Sequence, residues 1–121
     1  MIAQEMENEM ILKAVLMLAL TAGPAAAGPP PFRTGHAFAA SCGHMTPKQE
    51  CVAYIKGVAD GLGLAGKLND RPLICMPDAI DGRQLALAVT RFLKAHDDFR
   101  TLSPASIIWM GLAQEFPCPS K

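Results

Sequence analysis

The sequence predicts an all-α fold, a small disulfide-stapled helical bundle of three main helices plus a short N-terminal helix. Apolar residues recur at helical spacing behind helix-start signals, and no segment shows the alternation typical of a half-buried strand. The chain has 121 residues, which is too short for more than one domain. A core this small is marginal, and four cysteines can supply the covalent links that such domains usually need.

Residues 1–27 are predicted to be a secretory signal peptide. A single lysine precedes an apolar run over residues 14–20 and the small-residue triplet 25–27, which is the order of such a signal and its cleavage site. The apolar run is much shorter than the ~20 residues that cross a bilayer, so we expect no membrane span. We therefore expect a periplasmic protein, with a proline-rich leader at 28–33 and a helical domain at 34–121.

The nine residues before Met10 do not fit this signal. They include Glu5, Glu7 and Glu9, whereas the start of a signal peptide is normally positive. We hypothesise that translation starts at Met10, which leaves Lys13 as the only charged side chain in the signal. The alternative is that the extra residues belong to the protein and are tolerated.

The central helix is predicted over residues 51–66, behind a short alanine-rich helix at 34–42. Its small residues recur every fourth position and therefore share one face. Because glycine inside a helix costs about 1 kcal/mol relative to alanine, we expect this face to pack closely against a neighbouring helix. The helix should fray near Gly63 and Gly66. The small residues are Ala53, Gly57, Gly61 and Ala65.

Each of the three main helices begins with a sequence signal. In two of them a capping side chain is followed three positions later by glutamine, which is the pattern of a capping box. In the third, a serine precedes a proline suited to the first helical position. We expect the second main helix to end near Ala95 and the third to stop at Pro117. The signals are Thr46 with Gln49, Asp81 with Gln84, and Ser103 with Pro104.

The four cysteines allow three pairings, of which helix order favours one. Short connections usually make consecutive helices antiparallel, so the end of the last helix should lie beside the start of the preceding one. That arrangement places Cys118 near Cys75. Cys51 begins the central helix, where only Cys42 is close in sequence. We predict the bridges Cys42–Cys51 and Cys75–Cys118.

Composition and motifs disfavour several function classes. Residues 28–121 hold ten Lys and Arg against eight Asp and Glu, without the basic cluster or aromatic platform typical of nucleic-acid binding. The histidines His36, His44 and His96 lack the close ligand spacing of a zinc site. Cys42 lies two positions before a histidine, but a disulfide is favoured over a Cys–His nucleophile. We therefore expect no metal, no cofactor, no nucleic acid and no enzymatic activity.

Two aromatic residues are the only ones of their type. Trp109, on the last helix, is expected to fill the core of the bundle, although such a residue could also anchor an interface. For Tyr54 the sequence does not separate these two roles.

Several short motifs occur in a fixed order along the mature chain. C-V-A-Y-I-x-G-V-x-D-G is followed by C-M-P-D, by F-L-K-A-H, by P-A-S-I and by E-F-P-C-P. This order resembles the Rap/Tai family, small exported helical proteins that protect bacteria against peptidoglycan amidases delivered by type VI secretion. The resemblance covers residues 38–119, with His96-Asp97 where the family often has His-Pro. The residues that match the family pattern are Cys51, Tyr54, Ile55, Gly57, Asp60, Gly61, Cys75, Pro77, Gln84, Phe116, Pro117 and Cys118.

The resemblance implies an immunity protein that binds a secreted peptidoglycan amidase, alone or as a homodimer, and blocks its catalytic cleft sterically. The candidate partner-binding loop is the polar centre of the 67–74 connector, at Asn69, Asp70 and Arg71. The connector 99–103 is a second candidate. A periplasmic chaperone or stress-binding protein of unknown partner is the alternative function, since it would also be small, helical and disulfide-linked.

Overall fold

The computed structural model describes residues 2–21 and 32–120. By its internal contacts the chain divides into two compact units, Met1–Pro31 and Phe32–Lys121. The first unit contains helix α1, Ile2–Thr21.

The described part of the chain contains no helix that is long and apolar enough to cross a membrane. The expected cleavage site at 25–27 and most of the expected leader at 28–33 lie outside the described residues. The signal peptide and the start at Met10 therefore stay predictions.

The second unit consists of α-helices joined by irregular segments and one 3-10 helix. Residues 2–21 and 32–120 contain no strand, so the predicted all-α fold is confirmed. The helices are α2 (Gly35–Cys42), α3 (Gln49–Leu68), α4 (Gly82–Ala95), the 3-10 helix (Asp97–Thr101) and α5 (Pro104–Glu115).

Local capping explains where three of these helices begin. The Thr34 hydroxyl accepts a hydrogen bond from the backbone N–H three residues on, at the start of α2. At α4, the Asp81 carboxylate accepts from the Gln84 N–H at 2.8 Å, and the Gln84 side chain accepts from the Asp81 N–H at 3.0 Å. Ser103 caps α5, with Pro104 in its first turn. The predicted signals of α4 and α5 are confirmed, and such caps contribute about 1 kcal/mol each.

The predicted start of α3 is wrong. Its N-cap is Lys48 rather than Thr46, and no side chain caps the helix. The Cys51 N–H donates to the Lys48 carbonyl at 3.0 Å, while Cys51 itself is held by its disulfide. The covalent link and backbone bonding therefore set this start in place of a local cap. The helix also continues past Gly63, where fraying was expected, to Leu68.

The core lies between α2, α3, α4 and α5. Phe38 contacts Phe32 and Tyr54, with ring centroids 5.4 and 6.0 Å apart, and Phe32 meets Tyr54 edge-on at 5.1 Å. Tyr54 is half-buried in this cluster, which places it at the edge of the core. The largest fully buried apolar side chains are Phe38, Ile55, Val89, Leu93, Ile107, Ile108 and Leu112.

Both predicted disulfides are present and confirmed. The Cα atoms of Cys42 and Cys51 are 5.6 Å apart, and those of Cys75 and Cys118 are 5.0 Å apart. The first bridge joins the end of α2 to the first turn of α3. The second joins the connector after α3 to the segment after α5, where the Cys75 N–H also donates to the Phe116 carbonyl at 3.0 Å.

The expected antiparallel arrangement does not hold for α3 and α4. A Cβ built on Gly82, the first residue of α4, would lie 2.7 Å from Val52 Cγ1, in the first turn of α3. The starts of the two helices are therefore close together. Since α3 is about 30 Å long, the connector over residues 69–81 returns along that length, which an extended chain of this size can reach.

Candidate functional site

The small-residue stripe of α3 faces away from the core, which corrects the expectation that it packs against a helix. A Cβ added to Gly57 or Gly61 would meet nothing within 4 Å. Ala53, Gly57 and Gly61 are exposed, whereas the same helix buries Cys51, Ile55 and Ala59. The side with larger apolar side chains gains more free energy from burial, and it therefore takes the inner position.

Two exposed leucines extend this stripe toward the end of α3. Leu64 is 58% exposed and Leu68 is 77% exposed. Their spacing from Gly61, at three and seven residues, places them on the same side of the helix. We name this surface the outer face of α3. It consists of Ala53, Gly57, Gly61, Leu64 and Leu68.

The candidate loop Asn69–Arg71 follows directly on α3. All three residues are exposed, and Asp70 has a left-handed backbone with φ of 51°. The Arg71 N–H donates to the Gly66 carbonyl at 2.9 Å, and the Asn69 side chain donates to the Ala65 carbonyl at 2.8 Å. The loop is therefore an exposed projection whose base is bonded to the last turn of the helix.

A glycine makes this turn possible. A Cβ on Gly66 would lie 3.1 Å from the Arg71 carbonyl oxygen and 3.3 Å from Pro72 Cα, so the returning chain passes directly over it. A groove of about 430 Å³ lies beside the turn, lined by both apolar and charged side chains. Those side chains include Leu62, Lys67, Asp70, Arg71 and Ile74.

The remaining family-motif residues fall into structural positions and surface positions. Ile55 is buried and Gln84 completes the capping box of α4. Phe116 ends α5 and, with Pro77, lines a groove of about 410 Å³ beside the Arg91–Glu115 ion pair. Pro117 is exposed after α5, and Asp60 is exposed on α3 near the outer face. The motif thus combines core positions with residues of the outer face, Gly57 and Gly61.

The second candidate connector belongs to an aromatic surface. Phe99 stacks on Phe92 with ring centroids 5.5 Å apart, and His96 lies 4.7 Å from Phe92 and 5.3 Å from Phe99. Trp109 was expected in the core, but it is 43% exposed. Together with Phe92, His96 and Phe99 it lines a groove of about 460 Å³. The buried face of α5 includes Ile107 and Ile108, and Trp109 lies about 200° around the helix from Ile107 and faces outward.

The described residues offer little that could carry covalent or metal chemistry. All four cysteines are in disulfides, so Cys42 has no free thiol to act as a nucleophile. Within the described part of the chain, no group of three or more His, Cys, Asp or Glu is placed to hold a metal ion.

Comparison with known proteins identifies the family. A family model of the Rap1a immunity proteins matches residues 34–118, which is more than half of the chain and includes all four cysteines and helices α2 to α5. Neither the curated proteins nor the solved structures contain a match. The resemblance found in the sequence is thereby confirmed. The chain belongs to the Rap1a immunity protein family, whose members confer immunity to a secreted effector.

Proposed function

We propose that this protein is a periplasmic immunity protein that binds a peptidoglycan amidase of type VI secretion and blocks its catalytic cleft. The observation that carries the proposal is the family match over residues 34–118. Two disulfides fit an oxidising compartment such as the periplasm, and the signal-like segment at 1–27 would direct export. Immunity proteins generally act by binding, so no catalytic role is assigned to any residue.

The inhibitory element in this proposal is the loop Asn69–Arg71. A loop that enters a cleft binds best when it is already ordered, because little conformational entropy is then lost. The base of the loop is bonded to the last turn of α3, and the segment that follows the loop is held by the disulfide at Cys75. Its side chains offer an amide, a carboxylate and a guanidinium, which can form hydrogen bonds and ion pairs with polar groups at the cleft rim.

Replacing the loop should remove inhibition without unfolding the bundle. In the variant Asn69→Ser/Asp70→Gly/Arg71→Ser, glycine suits the left-handed position and the loop side chains are lost. We expect inhibition of a type VI amidase to weaken about a hundredfold, as for loss of several central interface residues. The measurement is amidase activity on purified peptidoglycan against inhibitor concentration, with circular dichroism to verify folding.

The control changes two exposed residues of the 3-10 helix that leads into the second candidate connector, Asp97→Ser/Asp98→Ser. We expect this variant to inhibit like the wild type. Full inhibition by the loop variant, with loss of inhibition by the control, would transfer the binding role to the aromatic surface. Wild-type protein that inhibits no amidase but binds many unfolded proteins would favour a chaperone.

We further propose that two copies pair through the outer face of α3. In the described part of one copy, nothing contacts the side of α3 where Gly57 and Gly61 lie, so no packing offsets the cost of these glycines. The exposed leucines next to them are typical of an interaction surface. In an antiparallel pair of α3 helices centred between Asp60 and Gly61, Leu64 and Leu68 of one copy lie opposite Gly57 and Ala53 of the other. Each large side chain then meets a position that has space for it.

Charges on the outer face should separate the two copies. The wild type is expected to be a dimer by light scattering after size exclusion, and Leu64→Glu/Leu68→Glu a monomer, because four carboxylates would have to be buried in the contact. Met45→Glu is the matched control, since Met45 is 49% exposed outside α3 and its variant should stay dimeric. A wild type that is monomeric at its highest soluble concentration would contradict this pairing.

A further inference from the structure

We propose that the Cys75–Cys118 disulfide is a redox switch: a dithiol reductant opens it in the folded protein and thereby releases the connector over residues 69–81. The bundle of α2 to α5 and the Cys42–Cys51 bridge stay intact. The consequence for effector binding rests on the proposed function of the loop Asn69–Arg71, but the selective opening does not.

The two bridges differ in access. Cys42 and Cys51 are 1% and 0% exposed and belong to the core. Cys75 and Cys118 are both partly exposed, and neither belongs to the buried core. Thiol–disulfide exchange requires a thiolate to reach a sulfur atom, so exposed bridges are the ones that react in native proteins. A reductant in solution therefore reaches Cys75–Cys118 first.

The connector depends on this bridge for its position. In residues 69–81 the one buried apolar side chain is Ile74, which is 8% exposed. The backbone bonds of Asn69, Asp70 and Arg71 go to the end of α3, and the Cys75 N–H bonds to Phe116. Opening the bridge leaves the middle of the connector with Ile74, the half-buried Met76 and Ile80, and one backbone hydrogen bond to the segment after α5.

The segment after α5 depends on the bridge in the same way. Pro117 and Pro119 have no N–H to donate, and residues 117–120 lie beyond the last helical turn. Without the bridge, this segment and the connector lose the covalent link between them. The helices are tied together elsewhere, by the core and by Cys42–Cys51.

The chemistry is a two-step exchange. One thiolate of the reductant attacks a sulfur of Cys75–Cys118, giving a mixed disulfide and one cysteine thiolate. The second thiol of the reductant displaces the other cysteine, so the reductant ends as a disulfide and both cysteines end as thiols after taking up protons. Two electrons pass from the reductant to the bridge. In a reducing compartment the segment that returns from the loop would therefore lose its covalent anchor, and oxidation after export would restore it.

The test is a titration of the purified, oxidised protein with dithiothreitol, quenched by iodoacetamide and mapped by peptide mass spectrometry. We expect Cys75 and Cys118 to be alkylated while Cys42–Cys51 remains bonded and the helical circular dichroism is unchanged. Hydrogen exchange at that reductant concentration should speed up in peptides covering 69–81 and stay unchanged in α4. Simultaneous reduction of both bridges, or unchanged exchange in the connector, would overturn the proposal.

Effector binding tests the functional consequence of opening the bridge. Selectively reduced protein and the variant Cys75→Ser/Cys118→Ser should bind the amidase about tenfold or more weakly than the oxidised wild type, because the loop must be ordered on binding. If the reduced and oxidised proteins bound the amidase equally well, the disulfide would not control binding by the loop. If the oxidised wild type itself binds no amidase, the proposed function fails, while the alkylation map and hydrogen exchange still decide whether the switch exists.

Discussion

Gly35→Ala should lower the free energy of unfolding by about 3 kcal/mol or more, as overpacking of a rigid site does. The added Cβ would lie 2.1 Å from the Leu102 carbonyl oxygen, 2.4 Å from the Arg100 carbonyl oxygen and 2.8 Å from Ile107 Cδ1. Two of these are backbone atoms, which no side-chain rotation can move away. The first turn of α2 would have to separate from the 3-10 helix and the chain that follows it. Helix propensity alone would predict the opposite sign, a gain of about 1 kcal/mol.

The measurement is urea denaturation followed by circular dichroism. Gly63→Ala is the matched control, since a Cβ there meets nothing within 4 Å inside α3. We expect this control to be more stable than the wild type by about 0.5–1 kcal/mol. If Gly35→Ala were as stable as Gly63→Ala, the close approach of α2 to residues 100–102 would be wrong.

Phe38→Ala should cost about 3–5 kcal/mol, the range for truncating a buried aromatic side chain. Phe38 is 0% exposed and contacts both Phe32 and Tyr54, so its removal leaves a cavity bordered by two rings. Those rings cannot both move inward, because Tyr54 is fixed on α3. The loss should appear as a lower midpoint in urea with little change in slope.

Trp109→Ala is the comparison for Phe38→Ala. The indole is larger than a phenyl ring, but 43% of the residue is exposed and alanine is a better helix former. We expect a loss below about 1 kcal/mol, in the range of surface substitutions. Unfolding of both variants is followed by circular dichroism, because Trp109 is the only tryptophan and its replacement removes the fluorescence signal. Equal losses for the two variants would indicate that Trp109 belongs to the core after all.

The sequence predicted those features of the fold that depend on neighbouring residues. The capping box at Asp81 and Gln84 and the Ser103–Pro104 start are local patterns, and both are confirmed. At the start of α3 the local pattern at Thr46 does not cap the helix, and the Cys42–Cys51 link holds its first turn instead.

Periodicity identified which residues of α3 share a face but not which face is buried. Gly57 and Gly61 do lie on one side of the helix, but on the outer side. That choice depends on what the other helices offer for packing, which no single-helix pattern contains. For Trp109 the sequence held a usable signal: it lies two residues, or about 200° around the helix, from Ile107, so it points away from that buried side chain.

The disulfide pairing was predicted correctly although one of its premises fails. The connector between α3 and α4 has 13 residues, long enough to return along α3, so the two helices need not be antiparallel. For the candidate loop, turn-forming residues indicated an exposed segment. Its shape, with Asp70 left-handed over Gly66, results from the path of the returning chain and could not be deduced from composition.

The pairing of the cysteines also bears on how the protein is made. The first cysteine is bonded to the second, nine residues later, and the third to the fourth. A chain that enters an oxidising compartment N-terminus first presents Cys42 and Cys51 before Cys75 emerges. An oxidase that joins thiols in their order of emergence then makes both native bonds directly, and a disulfide isomerase has nothing to correct. For a chain exported in this way, formation of the native bonds would need only an oxidase.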